Sequence, residues 1–450
     1  MKEYIDSKKD EMIQELQNVI TFKSVSEETG NLESPFGEEC KKVLEYVLNL
    51  GEKLGFRTKN IDGYCGYIEF GEGEEMVGII GHLDVVPANI EDGWTSNPFI
   101  PEIRDGKLYG RGAIDDKGPV IASLYAMKAV QEKMKINKRI RLILGLNEEK
   151  NWKCINYYKQ NEELPTIGFS PDADFPCIYA EKGIITVKLE HEFEIQNCEI
   201  LEVDTCNNAI NVVPKYCMMR LKLNHPDDMG KFENRDDVHV EKISKDTIKL
   251  VAYGKASHAA HPTMGENAII KLLRYLKGNW YLDKLEENGV FDLESPRCFG
   301  GKQTSDESGV LTSNIAKIKF ENGKLKLYTN LRVPVNTNFD TITKYCEELK
   351  EKIPGLQYSM DNANSKLYVD KNSYLVKTLT NIFNSQTGLN EEPIAIGGGT
   401  YARAFKNCVS FGMNMPGDPD MCHQVDEFVD IEKLIIGSKI YAQAMYELAK

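Results

Sequence analysis

Three short apolar runs, Glu75–Gly81, Arg139–Leu146 and Thr166–Ser170, show no regular alternation of polar and apolar residues. A strand with one wet face alternates; a strand that does not must be covered on both faces. Helical periodicity over Lys117–Met134 and about 151–162 separates these runs. Helical crossovers between buried strands imply a mostly parallel sheet flanked by helices, an α/β fold. Amphipathic spacing predicts two leading helices, Glu3–Phe22 and Gly37–Leu54. The same pattern returns after Asn372, with a helix to about Phe383, an apolar run Pro393–Ile396, and a final helix near Ile431–Leu448.

The character of the chain changes after Gly183. Ile185, Val187 and Leu189 alternate with polar residues, as do stretches near Met218–Leu223 and Thr247–Tyr253. Ile318–Phe320 and Leu325–Leu327 flank Asn322-Gly323, the signal of a two-residue hairpin turn. Helical patterns at Gly265–Leu276 and Phe339–Ile353 lie between the strands. This describes an α+β domain inserted into the α/β domain. The expected boundaries are 1–183 and 372–450 for the α/β domain, and 184–371 for the insert.

Composition narrows the function classes. The chain of 450 residues is 41% apolar and 28% charged, an ordinary balance for a globular protein. A net charge of −14 without a basic run argues against nucleic-acid or anionic-membrane partners. The first twenty residues are charged and amphipathic, unlike a secretory signal, and no apolar stretch approaches a membrane span. Eleven cysteines without a C-x-x-C pair suit reduced thiols in a cytoplasm. Cys177 and Cys422 stand near candidate site residues and read as small buried side chains.

The chemistry-bearing residues follow the strands. His82 and Asp84 in GHLDVVP come directly after the first run. Residues two apart in an extended segment face one way, so Asp84 can orient a metal-bound imidazole. GRGAIDDKG carries Asp115 and Asp116, and a carboxylate can bridge two divalent cations. Glu148 and Glu149 follow the second run, where one can bind metal and the other act as general base. Asp172 and Asp174 follow the third run, and His423 follows Val409–Met413. Singly, each motif reads as readily as a helix cap, an acidic turn or a local His–carboxylate pair. Together they converge on the carboxyl edge of a parallel sheet, where open α/β sheets bind ligands. A nitrogen and oxygen donor set without cysteine suits Zn²⁺ in a catalytic role.

These motifs, with GKASHAAHP and DPDMCHQVDE, closely resemble the aminoacylase/carboxypeptidase G/dipeptidase family of di-zinc exopeptidases in peptidase clan MH. The resemblance runs almost from end to end. The long insert and the SPDADFP form resemble the PepV-like dipeptidase branch. The resemblance implies two divalent metal ions, Zn²⁺ foremost, with Mn²⁺ or Co²⁺ able to substitute. His82 and Asp172 would hold one ion, Glu149 and His423 the other, and Asp115 would bridge them. Asp84 would orient His82, and Glu148 would be the general base and proton shuttle. The insert would be a lid, with His258 on the oxyanion and Asn211 and Arg332 on the substrate. Gly397, Gly398, Gly399 and Thr400 would supply donors near the substrate. A cis peptide is expected after Asp115. The implied activity is hydrolysis of dipeptides by a cytoplasmic monomer. Lys150, where relatives commonly carry a small hydroxyl residue, is a departure that could compete with metal at Glu149. The alternatives are an N-acyl amino acid amidohydrolase or carboxypeptidase of the same family, and an inactive metal- or peptide-binding homologue. A free-amine requirement would need an acidic contact, for which Asp116 is a guess.

Overall fold

The computed structural model describes residues 1–205, 209–364 and 366–450, the side chains of 362–364 aside. The described residues separate into two compact units. The first comprises Met1–Tyr179, Tyr368–Ile394 and Thr400–Lys450; the second comprises Ala180–Leu367 with Ala395–Gly399. The sequence reading put the joins at 183/184 and 371/372 and kept 395–399 with the first domain.

In the first unit four parallel strands stand in the order Arg139–Gly145, Met76–His82, Ile167–Ser170 and Cys408–Ser410. Register aligns their ends: His82 pairs Gly145, Ile79 pairs Phe169, and Ser410 pairs Ser170. The first three of these strands therefore reach one edge within three residues of a candidate site residue, while the fourth leads to His423 through a longer loop. Met76–His82 is buried along its whole length, which is why its sequence carries no alternation. The antiparallel pair Arg57–Ile61 and Cys65–Phe70 extends the sheet beyond Arg139–Gly145. That pair escaped the sequence reading because RTKNI is polar and mostly exposed.

Helices cover the sheet. Lys117–Lys133 is buried on nearly all sides, packed against the final helix Ile431–Ala449 and the N-terminal helix Lys9–Ile20. The leading helical pattern is broken at Lys8, into Lys2–Ser7 and Lys9–Ile20. A three-stranded sheet joins Glu102–Arg104, Lys107–Tyr109 and Phe428–Asp430, each too short to announce itself in the sequence.

The second unit holds two four-stranded antiparallel sheets. One orders Thr312–Glu321, Lys324–Val333, Gly183–Glu192 and Gln357–Asn364; the other orders Cys198–Asp204, Tyr216–Leu223, Thr247–Tyr253 and Val238–Lys242. Their inward faces share one apolar core with the helices Ala268–Tyr275 and Phe339–Lys352. Asn322 and Gly323 take φ of 55° and 75°, the left-handed pair that a two-residue hairpin of this twist requires. No described helix is long and apolar enough to cross a membrane.

Ile79 is fully buried in the parallel strand that ends at His82. Ile79→Ala should destabilise the chain by about 2–5 kcal/mol through lost burial and a residual cavity, read as a lowered urea midpoint with an unchanged slope.

Candidate metal centre

His82 closes its strand with its ring wholly buried, and its Nδ1 lies 2.9 Å from the Asp84 main-chain carbonyl. That contact assigns the proton to Nδ1 and turns the Nε2 lone pair outward. The Asp84 carboxylate is 3.5 Å from Nδ1. Its two oxygens are engaged elsewhere, accepting the main-chain N–H of Glu148 and of Glu149 at 3.1 Å each. Asp84 thus fixes both the imidazole and the turn that presents the paired glutamates. Asn147 secures the same turn, donating to Ser26 Oγ at 2.8 Å and accepting from Lys153 N at 3.1 Å.

Asp115 stands between two imidazoles. Its Oδ1 is 3.1 Å from His82 Nε2, and its Oδ2 is 3.0 Å from His423 Nε2. His423 Nε2 is also 3.0 Å from Glu149 Oε1, and Asp172 Oδ2 lies 3.6 Å from His82 Nε2. The peptide between Asp115 and Asp116 is cis. Donor atoms converge in two overlapping groups, His82 with Asp115 and Glu149, and His82 with Glu148 and Asp172, each within 4.8 Å. Around a tetrahedral Zn²⁺ with bonds of about 2.0–2.2 Å, neighbouring donor atoms stand ~3.3–3.6 Å apart. The Asp172–His82 separation falls in that range and the three others, at 3.0–3.1 Å, are slightly tighter, so the donors would part by a few tenths of an ångström around a cation; the donor set is entirely nitrogen and oxygen.

Electrostatics give the same answer. Burial, then the nearby negative charge of Asp115, pushes the Glu149 carboxyl up to about 7. Burial also raises Glu148 well above the ordinary range, with Glu149 among the adding charges. Asp172 is raised by burial and then by Asp115. Against its own burial, Asp115 is held below the usual range by hydrogen bonds from His423 and His82. Bonds to Asp115 and Glu149 outweigh burial at His423 and lift it to about 11. Carboxylates outnumber the imidazoles that could neutralise them, so the cluster fits divalent cations.

The remaining expectations divide by unit. Asp174 is exposed, accepts from Asn414 Nδ2 at 3.1 Å and joins neither donor group. Asp116 is fully buried, and its Oδ2 accepts the His82 main-chain N–H at 3.1 Å. Buried there, it does not face a substrate amine as guessed; it braces the strand that ends at His82 from inside. Lys150 is exposed and makes no ion pair with Glu149 among the described residues. Cys177 is fully buried, whereas Cys422 is only half-buried. Thr400 caps the turn Tyr401–Ala404 through Ala402 N, and its hydroxyl meets Ser410 Oγ at 2.6 Å. Tyr401, unmarked in the sequence, packs its ring edge-on against His82 and Trp152 with centroids 6.0 and 5.2 Å away.

In the second unit Asn211 and His258 are neighbours. Val212 bridges His258, and Ala259 N donates to the Asn211 carbonyl at 2.8 Å. Arg332 is buried, with Nε on Asn330 Oδ1 at 2.9 Å and Nη1 on the Gly397 carbonyl at 2.8 Å. Gly398 is half-buried and Gly399 exposed in the same short segment.

Asp84→Asn would set an amide donor against a main-chain N–H of Glu148 or Glu149. It should weaken divalent-cation affinity ~10–100-fold, measured by competition with a chromophoric chelator, while far-ultraviolet circular dichroism stays unchanged.

Comparison with known proteins agrees with this geometry. The family model for peptidase family M20/M25/M40 matches residues 78–447. A Bacillus subtilis protein named "Putative dipeptidase YtjP" is 38% identical, with 98% of each chain covered. A Staphylococcus epidermidis "Putative dipeptidase" is 36% identical over 99% of each. The fold resembles human carnosine dipeptidase 1 at a TM-score of 0.62 and 17% identity, covering 99% of this chain and 98% of that one. It also resembles Bacillus subtilis YXEP, described as a dinuclear metal binding peptidase, at a TM-score of 0.54 and 10% identity over 98% of each. On the extent of the family match and of these identities, the chain belongs to peptidase family M20/M25/M40.

Proposed function

We propose that the chain hydrolyses dipeptides with the help of two divalent cations, Zn²⁺ foremost and Mn²⁺ or Co²⁺ as substitutes. The observation that carries this is the placement of Asp115, one carboxylate oxygen against His82 and the other against His423. His82 and Asp172 would hold one cation, His423 and Glu149 the other, and Asp115 would be shared. Bound there, such cations polarise a carbonyl and lower the pKa of water.

The chain's own residues supply the rest. Among the described residues nothing hydrogen-bonds the Glu148 carboxyl, although its main chain is fixed by Asp84. A carboxylate in a fixed place with its oxygens unclaimed is suited to take a proton from the attacking water and pass it to the leaving amine. Asp84 holds that carboxylate's backbone and the His82 ring in one frame. The roles of the second unit come from the resemblance: His258 on the oxyanion, Asn211 and Arg332 on the substrate, and Gly398, Gly399 and Thr400 beside it. An Arg fork suits a terminal carboxylate. The names of the curated relatives favour dipeptides over N-acyl amino acids. We read the chain as a cytoplasmic monomer; the free thiols of the described cysteines fit a reducing compartment.

The test is a panel of dipeptides, tripeptides and N-acetyl amino acids, with chelator-stripped protein and restored Zn²⁺ or Mn²⁺. Dipeptides should be cleaved only with cation present, and Glu148→Ala should lower kcat by ~10²–10⁴ while retaining both cations. Cleavage confined to N-acetyl substrates would move the activity to amidohydrolysis. Two bound cations without any turnover would leave a binding protein. In gel filtration the active chain should elute as a 51.0 kDa particle; activity confined to a dimer peak would refute the monomer.

A further inference from the structure

Glu427 lies four residues beyond His423 and is wholly buried. Its carboxylate is wrapped by the loop that delivers Asp115. Oε2 accepts from Arg111 Nη1 at 2.7 Å and Gly112 N at 3.0 Å; Oε1 accepts from Ile114 N at 2.9 Å and Asp115 N at 3.2 Å. Its main-chain carbonyl accepts Gly110 N at 3.0 Å. Arg111 reaches back to the His423 carbonyl at 3.4 Å, with its guanidinium 5.1 Å from the Trp94 ring centroid. Successive main-chain N–H groups curled around one anion form a nest, and here the anion is a side chain of the protein itself.

Two loops meet through this one carboxylate: 110–115, ending on the shared ligand, and 423–427, beginning on an end ligand. In the second loop His423 and Asp426 take φ of 64° and 56°, the left-handed region that is uncommon outside glycine but that His and Asp enter more readily than most residues. Asp426 is secured separately, by Thr95 N at 2.8 Å and Thr95 Oγ1 at 2.6 Å.

We propose that Glu427 is a positioning residue for the cation shared by Asp115 and His423, setting the separation of these two ligands rather than touching metal or substrate. This rests on the two-cation reading of the site. Glutamine at 427 keeps the shape but turns an amide N–H₂ toward either the Ile114 and Asp115 N–H groups or the Gly112 N–H and Arg111. Either way donor meets donor, and the loop bearing Asp115 shifts relative to His423. The larger effect falls on the cation assigned to His423 and Glu149, because the other keeps His82 and Asp172, which are held by other elements.

Stepwise Zn²⁺ affinities of the stripped full chain, by chelator competition, test this. Glu427→Gln should bind one cation ~10–100-fold more weakly and the other with a clearly smaller loss. Its lost turnover should return as free cation is raised, with the substrate KM unchanged. Thr95→Val, which loosens the same loop through Asp426, should leave both affinities at wild-type values. Glu427→Gln with two wild-type affinities, or with both weakened alike, overturns the proposal. If Glu427→Gln does not fold, Arg111→Lys is read instead, since it keeps the charge but cannot reach Glu427 and the His423 carbonyl together. There a selective loss of one cation supports the proposal and unchanged binding overturns it. Wild-type protein that takes up fewer than two cations would sink the two-cation reading itself.

Discussion

Asp115, Glu148, Glu149 and Asp172 crowd two imidazoles at the carboxyl edge of the parallel strands, and their repulsion in a partly buried site has to be met by something positive. Isolated buried charge is costly, and groups so placed shift their proton affinity or find a counter-ion. Both responses are present. Glu148, Glu149 and Asp172 are raised, while Asp115, flanked by both histidines, is lowered. The arrangement is that of a cation cradle, and the surrounding structure serves to keep these like charges from moving apart.

What keeps them together is a second set of acids. The carboxylates of Asp84, Asp116 and Glu427 accept main-chain N–H groups, from Glu148 and Glu149, from His82, and from Gly112, Ile114 and Asp115 respectively. Each therefore ties down the backbone that carries a first-rank donor. Negative charge is divided into a portion spent on the protein's own amides and a portion left for cations. A charge-assisted bond to a main-chain N–H is shorter and stronger than a neutral one. Acids are thus well suited to hold other acids in place.

That division explains what the sequence could and could not disclose. The strands were legible because full burial abolishes alternation, and their parallel order followed from the helices between them. Once the strands were parallel, His82, Glu148, Glu149 and Asp172 had to emerge at one edge. The left-handed Asn322-Gly323 turn was legible from its chemistry alone. The hairpin Arg57–Phe70 and the three-residue strands around Lys107 carry too little apolar pattern to be seen. Asp116 and Glu427 stood inside quoted motifs, yet sequence does not distinguish an acid that meets a metal from one that meets an amide. The distinction lies in where the backbone N–H groups point. In the DD pair Asp115 faces two imidazoles while Asp116 accepts a main-chain N–H, and Asp84 holds the glutamate turn as well as the imidazole.

Gly81 shows how tightly the two sets of acids are interlocked. A Cβ at this position would stand 2.6 Å from both Asp116 Oδ2 and Val120 Cγ2. The Asp116 side chain therefore lies against bare backbone, which is how its oxygen reaches the His82 N–H in the adjoining residue. Glycine inside a strand forfeits packing and entropy. Here it admits the brace that holds His82 from the interior while Asp84 holds its ring from the other side. The strand, the cis turn after Asp115 and the helix beginning at Lys117 consequently meet at one atom-to-atom contact. A displacement of that helix would move His82 and Asp115 together, so the distance between them is set by the packing of the sheet against its helix rather than by either loop alone.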